Sequence, residues 1–245
     1  MAKSIKNGFK QETIARITSA LADLVRDYEQ AARDGKCVPI SISTGNEKIG
    51  KVMNVSLAPI LTCGNACKLC KNLCYDVKAC LQYENVRKAR ARNTVLAIHY
   101  RKKYFDQIIK RIQRRKKNFF FRWHVAGDIL DLDYFENMIA IARMFPEWTF
   151  WTYTKQYHIV NKWIDENGQL PDNLHIMFSQ WKIKLDNGQI IAVPLPNPHN
   201  LPIFTVVFEE EEFPADYFHC PGNCDVCKEN HLGCIAGMNT ANGAH

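Results

Sequence analysis

Eight of the ten cysteines in this chain fall into two short groups. Cys63, Cys67, Cys70 and Cys74 occupy twelve residues with the spacing C-x3-C-x2-C-x3-C. Cys220, Cys224, Cys227 and Cys234 follow with C-x3-C-x2-C-x6-C, and His219 and His231 lie beside them. Thiolates this close in sequence meet at one centre only if the backbone wraps around it. Gly64-Asn65 in the first group, and Pro221-Gly222 and Gly233 in the second, make such wrapping easy. Three centres fit the first group. Four thiolates can close around zinc, four can hold a [4Fe-4S] cube, and three can hold a cube with one iron open to a ligand. The second group fits a structural zinc knuckle or an auxiliary iron–sulfur cluster, and the two groups could share one site. The N-terminal MAKSIKNGFKQET has no apolar signal core, so these cysteines point to metal or redox chemistry before disulfides. Cys37 and Cys80 stand apart and are expected to be small buried hydrophobes.

A second set of candidates lies at strand ends. NFFFRWHVAGD reads as a strand that stops at Gly127. Parallel sheets and barrels bind ligands beyond the carboxyl ends of their strands. Gly127 and Asp128 are therefore candidates for holding a cofactor. The plainer alternative is that Gly127 makes a turn and Asp128 caps the next helix. WTYTK and FSQW end the next two strands, which would place Tyr153, Lys155, Ser179 and Gln180 on the same polar rim. His124 is expected in the core.

The elements that must position these groups follow from periodicity. Residues 10–34 repeat apolar positions at helical spacing (Ile14, Ile17, Leu21, Leu24, Val25), with Gly35 as a cap. Strands are expected at 38–44 and 51–57 around a Gly45-Asn46 turn, then at 149–154, 174–181 and 203–208. Residues 83–117 read as one long helix or two, with Val86, Val95, Ile98, Tyr104, Phe105, Ile108, Ile109 and Ile112 inside. A helix begins near Asp133, where Asp133 and Glu136 have capping-box spacing, and another spans 155–168. Alternating strands and helices predict an α/β fold. The expected form is a partial (βα) barrel of mostly parallel strands, with an N-terminal helix and a C-terminal cysteine-rich metal lobe. The segments are 1–37, 38–212 and 213–245.

With 245 residues, 47% apolar and 23% charged, the chain is globular in composition. It has no run of roughly 18 apolar residues to span a membrane. Between Tyr83 and Asn118 lie 13 of the 32 basic residues and 2 of the 25 acidic ones, a net +11 against −4 for the remainder. That basic helix is a candidate contact for nucleic acid or another polyanion. The EEEE run at 209–212 is expected to be a solvated loop.

STGNEKIGKVMNVSL, TCGNACKLCKNLCYDVKAC, ARARN, RWHVAGDI, WTYTK and CPGNCDVC occur in this order, and together they resemble the phage gene-product-88 family. Cys63, Cys67 and Cys70 also have the C-x3-C-x2-C spacing of radical S-adenosylmethionine (radical SAM) enzymes, with Leu69 where that motif usually has an aromatic residue. The chain looks like a reduced, distant relative of that superfamily. The resemblance implies a cluster whose open iron chelates S-adenosylmethionine, with Gly127-Asp128 beside the cofactor's amino group. It also implies a phage or prophage protein in the cytoplasm of a bacterial host. The alternatives are a zinc protein that binds nucleic acid through its basic helix, and a non-enzymatic iron–sulfur redox or sensor protein with Cys74 as fourth ligand.

Overall fold

The computed structural model describes residues 8–45, 49–209 and 211–244. Asn46 of the expected turn and Glu210 of the acidic run lie outside the described residues. The N-terminal helix, α1 (Gln11–Arg33), buries Ile14, Ile17 and Leu21. It stops where Gly35 adopts φ +77° and the N–H groups of Gly35 and Lys36 turn back onto the carbonyls of Ala32 and Ala31, as a glycine cap does.

A short antiparallel pair follows, β1 (Ile42–Ser43) with β2 (Met53–Val55). Four helices then precede the next strand: α2 (Lys68–Asn72), α3 (Tyr75–Gln82), α4 (Glu84–His99) and α5 (Arg101–Gln113). The basic stretch is thus two helices, broken at Tyr100. The break turns Ile98 outward, against expectation, and it is 45% exposed. Next come β3 (Phe120–Arg122), α6 (Leu132–Met144), β4 (Thr149–Thr154), α7 (Tyr157–Asn167) and β5 (Leu174–Ser179). A separate hairpin, β6 (Lys182–Lys184) with β7 (Ile190–Ala192), leads to β8 (Ile203–Val207). The last elements are β9 (Phe218–His219), α8 (Cys224–Asn230), a 3-10 turn at Gly233–Ala236 and β10 (Thr240–Gly243).

Among the described residues one eight-stranded sheet runs β1-β2-β3-β4-β5-β8-β10-β9. Every pairing in it is parallel except β1 with β2. The mostly parallel α/β order is as expected. The sheet is open, because its end strands β1 and β9 do not meet. The cysteine-rich segment is also built differently from the expected lobe: β10 inserts between β8 and β9. It satisfies the backbone groups that β8 would otherwise leave at an edge.

The faces of the sheet divide the core. Phe121, Trp123, Phe150, Ile176 and Phe178 pack against α5, α6 and α7. Trp151 and Met177 face the other way and pack against Cys227, Cys234 and Ile235. In β4 this is the period-two alternation of a strand covered on both faces.

His124 is buried, as expected. Its Nε2 lies 2.9 Å from the Tyr134 hydroxyl and its Nδ1 3.3 Å from that of Thr152. Burial lowers its pKa to about 3, so the folded chain holds it neutral. Below about pH 6.5 the unfolded chain takes up a proton that the folded chain refuses. Stability should then fall by about 1.4 kcal/mol per pH unit as pH drops from about 6.5 toward 3, with no contribution above that window. Urea midpoints at pH 7 and pH 5 check this, and His124→Gln should flatten the slope.

Candidate functional site

The first cysteine group begins where β2 leaves the sheet. Beyond the ladder, β2 and β3 stay joined: Leu57 N–H donates to the Ala126 carbonyl at 2.9 Å and Ala126 N–H to the Ser56 hydroxyl at 3.2 Å. Gly127 sits at φ +86° against the base of the cysteine loop. A side chain there would meet the Leu57 Cβ and the Thr62 Oγ1 at 2.7 Å, so only glycine lets the loop close. Cys67 starts α2, its Sγ accepting from Cys70 N–H at 3.4 Å, and Cys74 immediately precedes α3. Arg90 of α4 holds α3 through both Asp76 oxygens at 2.9 and 3.0 Å.

Burial raises the pKa of Cys63, Cys70 and Cys74, the last to about 12. Neighbouring negative charge adds to this: Asp128 and Cys74 at Cys63, Cys67 at Cys70, and Cys70 at Cys74. Lys155 pulls Cys70 the other way. The four thiols are therefore close enough to feel one another. Like-charged sulfurs this close to one another stay thiolates only with a cation among them, and the donor set fits a metal. Among the described residues no three His, Cys, Asp or Glu side chains stand in metal-ligating geometry, so the rim is assembled without a closed shell.

The neighbouring strand ends complete this rim. Asp128 Oδ1 accepts from Ile129 N–H at 2.8 Å and from the Thr154 hydroxyl at 2.6 Å, and Oδ2 accepts from Lys155 N–H at 2.9 Å. Its carboxyl thus ties the end of β3 to the end of β4. The cap of α6 is Asp131, which accepts from Tyr134 N–H at 2.9 Å. Asp133 was expected in that role, but its carboxylate pairs with Arg101 at 2.7 Å. Lys155 donates through Nζ to the carbonyl and hydroxyl of Ser179, and Tyr157 donates to the same carbonyl. Asn65 of the cysteine loop donates to the Lys155 carbonyl at 3.1 Å, and Trp181 Nε1 to the Asn65 carbonyl at 2.9 Å. Gln180 pairs through its N–H with Phe204 at 2.8 Å.

Lys155, Ser179 and Asp128 thus join the first group, but Tyr153 does not. Tyr153 shares the Trp151 face of β4, and its hydroxyl donates to Cys234 Sγ at 2.9 Å. There Cys220, Cys224, Cys227 and Cys234 line one cavity of about 20 Å³ together with Trp151 and Tyr153. His219 stacks on Phe213 and His231 ends α8, and neither lines that cavity. Gly233 is required at φ +61° with the Phe218 ring against it. Cys80 is buried as expected, whereas Cys37 is exposed, in the turn after α1.

Sequence reasoning passed over Tyr75 and Arg122. Tyr75, 46% exposed, follows directly on Cys74 at the start of α3. Arg122 lies 4.7 Å over the Tyr153 ring. It is the one charge in FFFRW, a signal that could have marked it.

Residues 22–241 match the family described as gene product 88. The chain belongs to the gene product 88 family. Neither the curated proteins nor the solved structures contain a match to it. In this gene product 88 chain no helix among the described residues is long and apolar enough to cross a membrane. Its basic stretch is unevenly committed. Arg90 and Arg101 pair with Asp76 and Asp131, while Lys110, Arg111, Arg114, Lys116 and Lys117 at the end of α5 are exposed without a carboxylate partner among the described residues. This basic tip leads into the start of β3, at the opposite end of the strands from the first cysteine group.

Proposed function

We propose that this chain is an iron–sulfur protein of radical SAM type, encoded by a phage or prophage and working in the host cytoplasm. Cys63, Cys67 and Cys70 would hold a [4Fe-4S] cluster, and S-adenosylmethionine would bind beside Gly127-Asp128 and Lys155. When bound, such a centre supplies the electron that splits S-adenosylmethionine reductively, giving a deoxyadenosyl radical that abstracts hydrogen from a substrate. The chain's own part is positioning. Asp128 fixes the strand ends, Lys155 places a positive charge beside Cys70, and Trp181 and Asn65 hold the loop.

The observation that carries this reading is the convergence of thiols, Asp128 and Lys155 at the carboxyl ends of neighbouring parallel strands, where such folds bind ligands. Cys74 adds to it by packing into the small apolar cluster of Ile17, Leu21, Ala58 and Val77. That is the surrounding of a filler more than of a fourth ligand. Protein reconstituted anaerobically with iron and sulfide should be brown, and should release 5′-deoxyadenosine when given dithionite and S-adenosylmethionine. A colourless, zinc-loaded protein that stays inert would overturn the reading.

The exposed basic tip supports a second reading, in which zinc fills both cysteine groups and the end of α5 docks nucleic acid. Neutralising Arg111, Arg114, Arg115, Lys116 and Lys117 should then abolish salt-sensitive binding to DNA or RNA. Electrophoretic shifts at two salt concentrations check it, and unchanged binding would remove this reading.

A further inference from the structure

The second cysteine group has features that the first lacks. Its four thiols line a single small cavity, and hydrogen-bond donors lie on or behind its wall. Tyr153 donates to Cys234 Sγ. Trp151 Nε1, on the wall of the same cavity, is buried without an acceptor. Arg122 Nε is also buried without an acceptor, and its guanidinium stacks on Tyr153. No carboxylate pairs with Arg122 among the described residues. Of the groups it would feel electrostatically, Cys224 and Cys234 are the ones that a bound cation could hold ionised.

A buried guanidinium Nε and a buried indole N–H without acceptors are costly features. They are accounted for if the four sulfurs carry charge, because thiolates accept hydrogen bonds and attract the cation. Size then decides what holds the sulfurs as thiolates. A cavity of about 20 Å³ has room for about one water-sized sphere. That suits one ion within four sulfurs, and is far too small for the four irons and four sulfides of a cube.

We propose that Cys220, Cys224, Cys227 and Cys234 bind a single tetrahedral zinc ion, with Tyr153, Trp151 and Arg122 as the donors and counter-charge around it. The site is structural. All four positions are taken by sulfur, and the ion pins the segment carrying β9 and β10 to the Trp151 face of β4. The thiols do not stand in ligating geometry as they are, so binding is coupled to closing the shell, and its free energy contributes to folding. This inference goes beyond the radical SAM reading, which concerns the first group alone, and it holds whichever reading of that group is right.

The test removes that first group. The chain carrying Cys63→Ala, Cys67→Ala, Cys70→Ala and Cys74→Ala together is loaded anaerobically with zinc, iron and sulfide, then desalted. Metal analysis should find one zinc per chain and no iron, and zinc-edge X-ray absorption should show sulfur neighbours alone at about 2.3 Å. Iron with sulfide, or no retained metal, would overturn the assignment. If that variant does not fold, Cys224→Ser and Cys234→Ser in the otherwise unaltered chain should each remove zinc and leave iron untouched, and loss of iron instead would count against it. Arg122→Met and Tyr153→Phe should weaken zinc retention against a chelator by about 10–100-fold. Unchanged retention would deny these residues their role.

Discussion

Alanine at Cys63, Cys67 or Cys70 should each abolish the brown colour and bound iron of the reconstituted protein, while Cys74→Ala should leave both in place. The expectation rests on what surrounds each thiol. Cys67 opens α2 with its Sγ turned onto the Cys70 N–H; Cys63 feels the charge of Asp128, and Cys70 those of Asp128 and Lys155, at the strand ends. Cys74 feels Cys70 too, but its side chain packs with Ile17, Leu21, Val77 and Cys80 beneath α1. A cube held by three sulfurs has an iron free for the cofactor, and a cube held by four does not. The measurement is iron and sulfide content with the visible spectrum of each variant. Loss of the cluster in Cys74→Ala would favour the redox or sensor protein over the radical enzyme.

The second large effect is expected at Asp128. Its carboxyl takes three hydrogen bonds, from Ile129 N–H, Lys155 N–H and the Thr154 hydroxyl. Alanine would leave two backbone donors and a hydroxyl without their acceptor in a buried place. Each such orphan costs about 1–3 kcal/mol, so Asp128→Ala should lose about 3–5 kcal/mol in denaturant unfolding at pH 7. Asparagine keeps an oxygen for one side of the bridge and sets an amide donor against the other, so Asp128→Asn should fall between. The loss should also loosen the rim, because Lys155 is held through its backbone by this carboxyl. A loss below about 1 kcal/mol would mean that water replaces the bridge.

Much of the scaffold could be read from spacing. β4 spans residues 149–154 because its apolar and β-branched run is bounded by polar residues, and α1 keeps its apolar stripe and glycine cap because its helical period is clear. The strand ends after β3, β4 and β5 were recognisable from the polar residues that follow apolar runs, and Asp128, Lys155 and Ser179 do gather there. Tyr153 was misplaced because β4 is apolar on both faces, so alternation alone does not say which face meets the helices. The break at Tyr100 carries no proline or glycine to announce it. The strands of the C-terminal segment were missed for another reason. Thr-Ala-Asn-Gly in β10 is short, small and polar, and it becomes a strand only because β8 and β9 offer edges on either side.

That last strand has a consequence for how the protein is made. β10 lies between two strands synthesised before it, so β9 emerges with no partner and must wait for β10 to be translated. Growth of the sheet from β2 onward follows the ribosome, but its far side can close only by retroactive insertion. Folding during synthesis should therefore pause after β8, and a nascent chain stalled between β9 and β10 should expose the Trp151 face to proteases while the helical side is already protected.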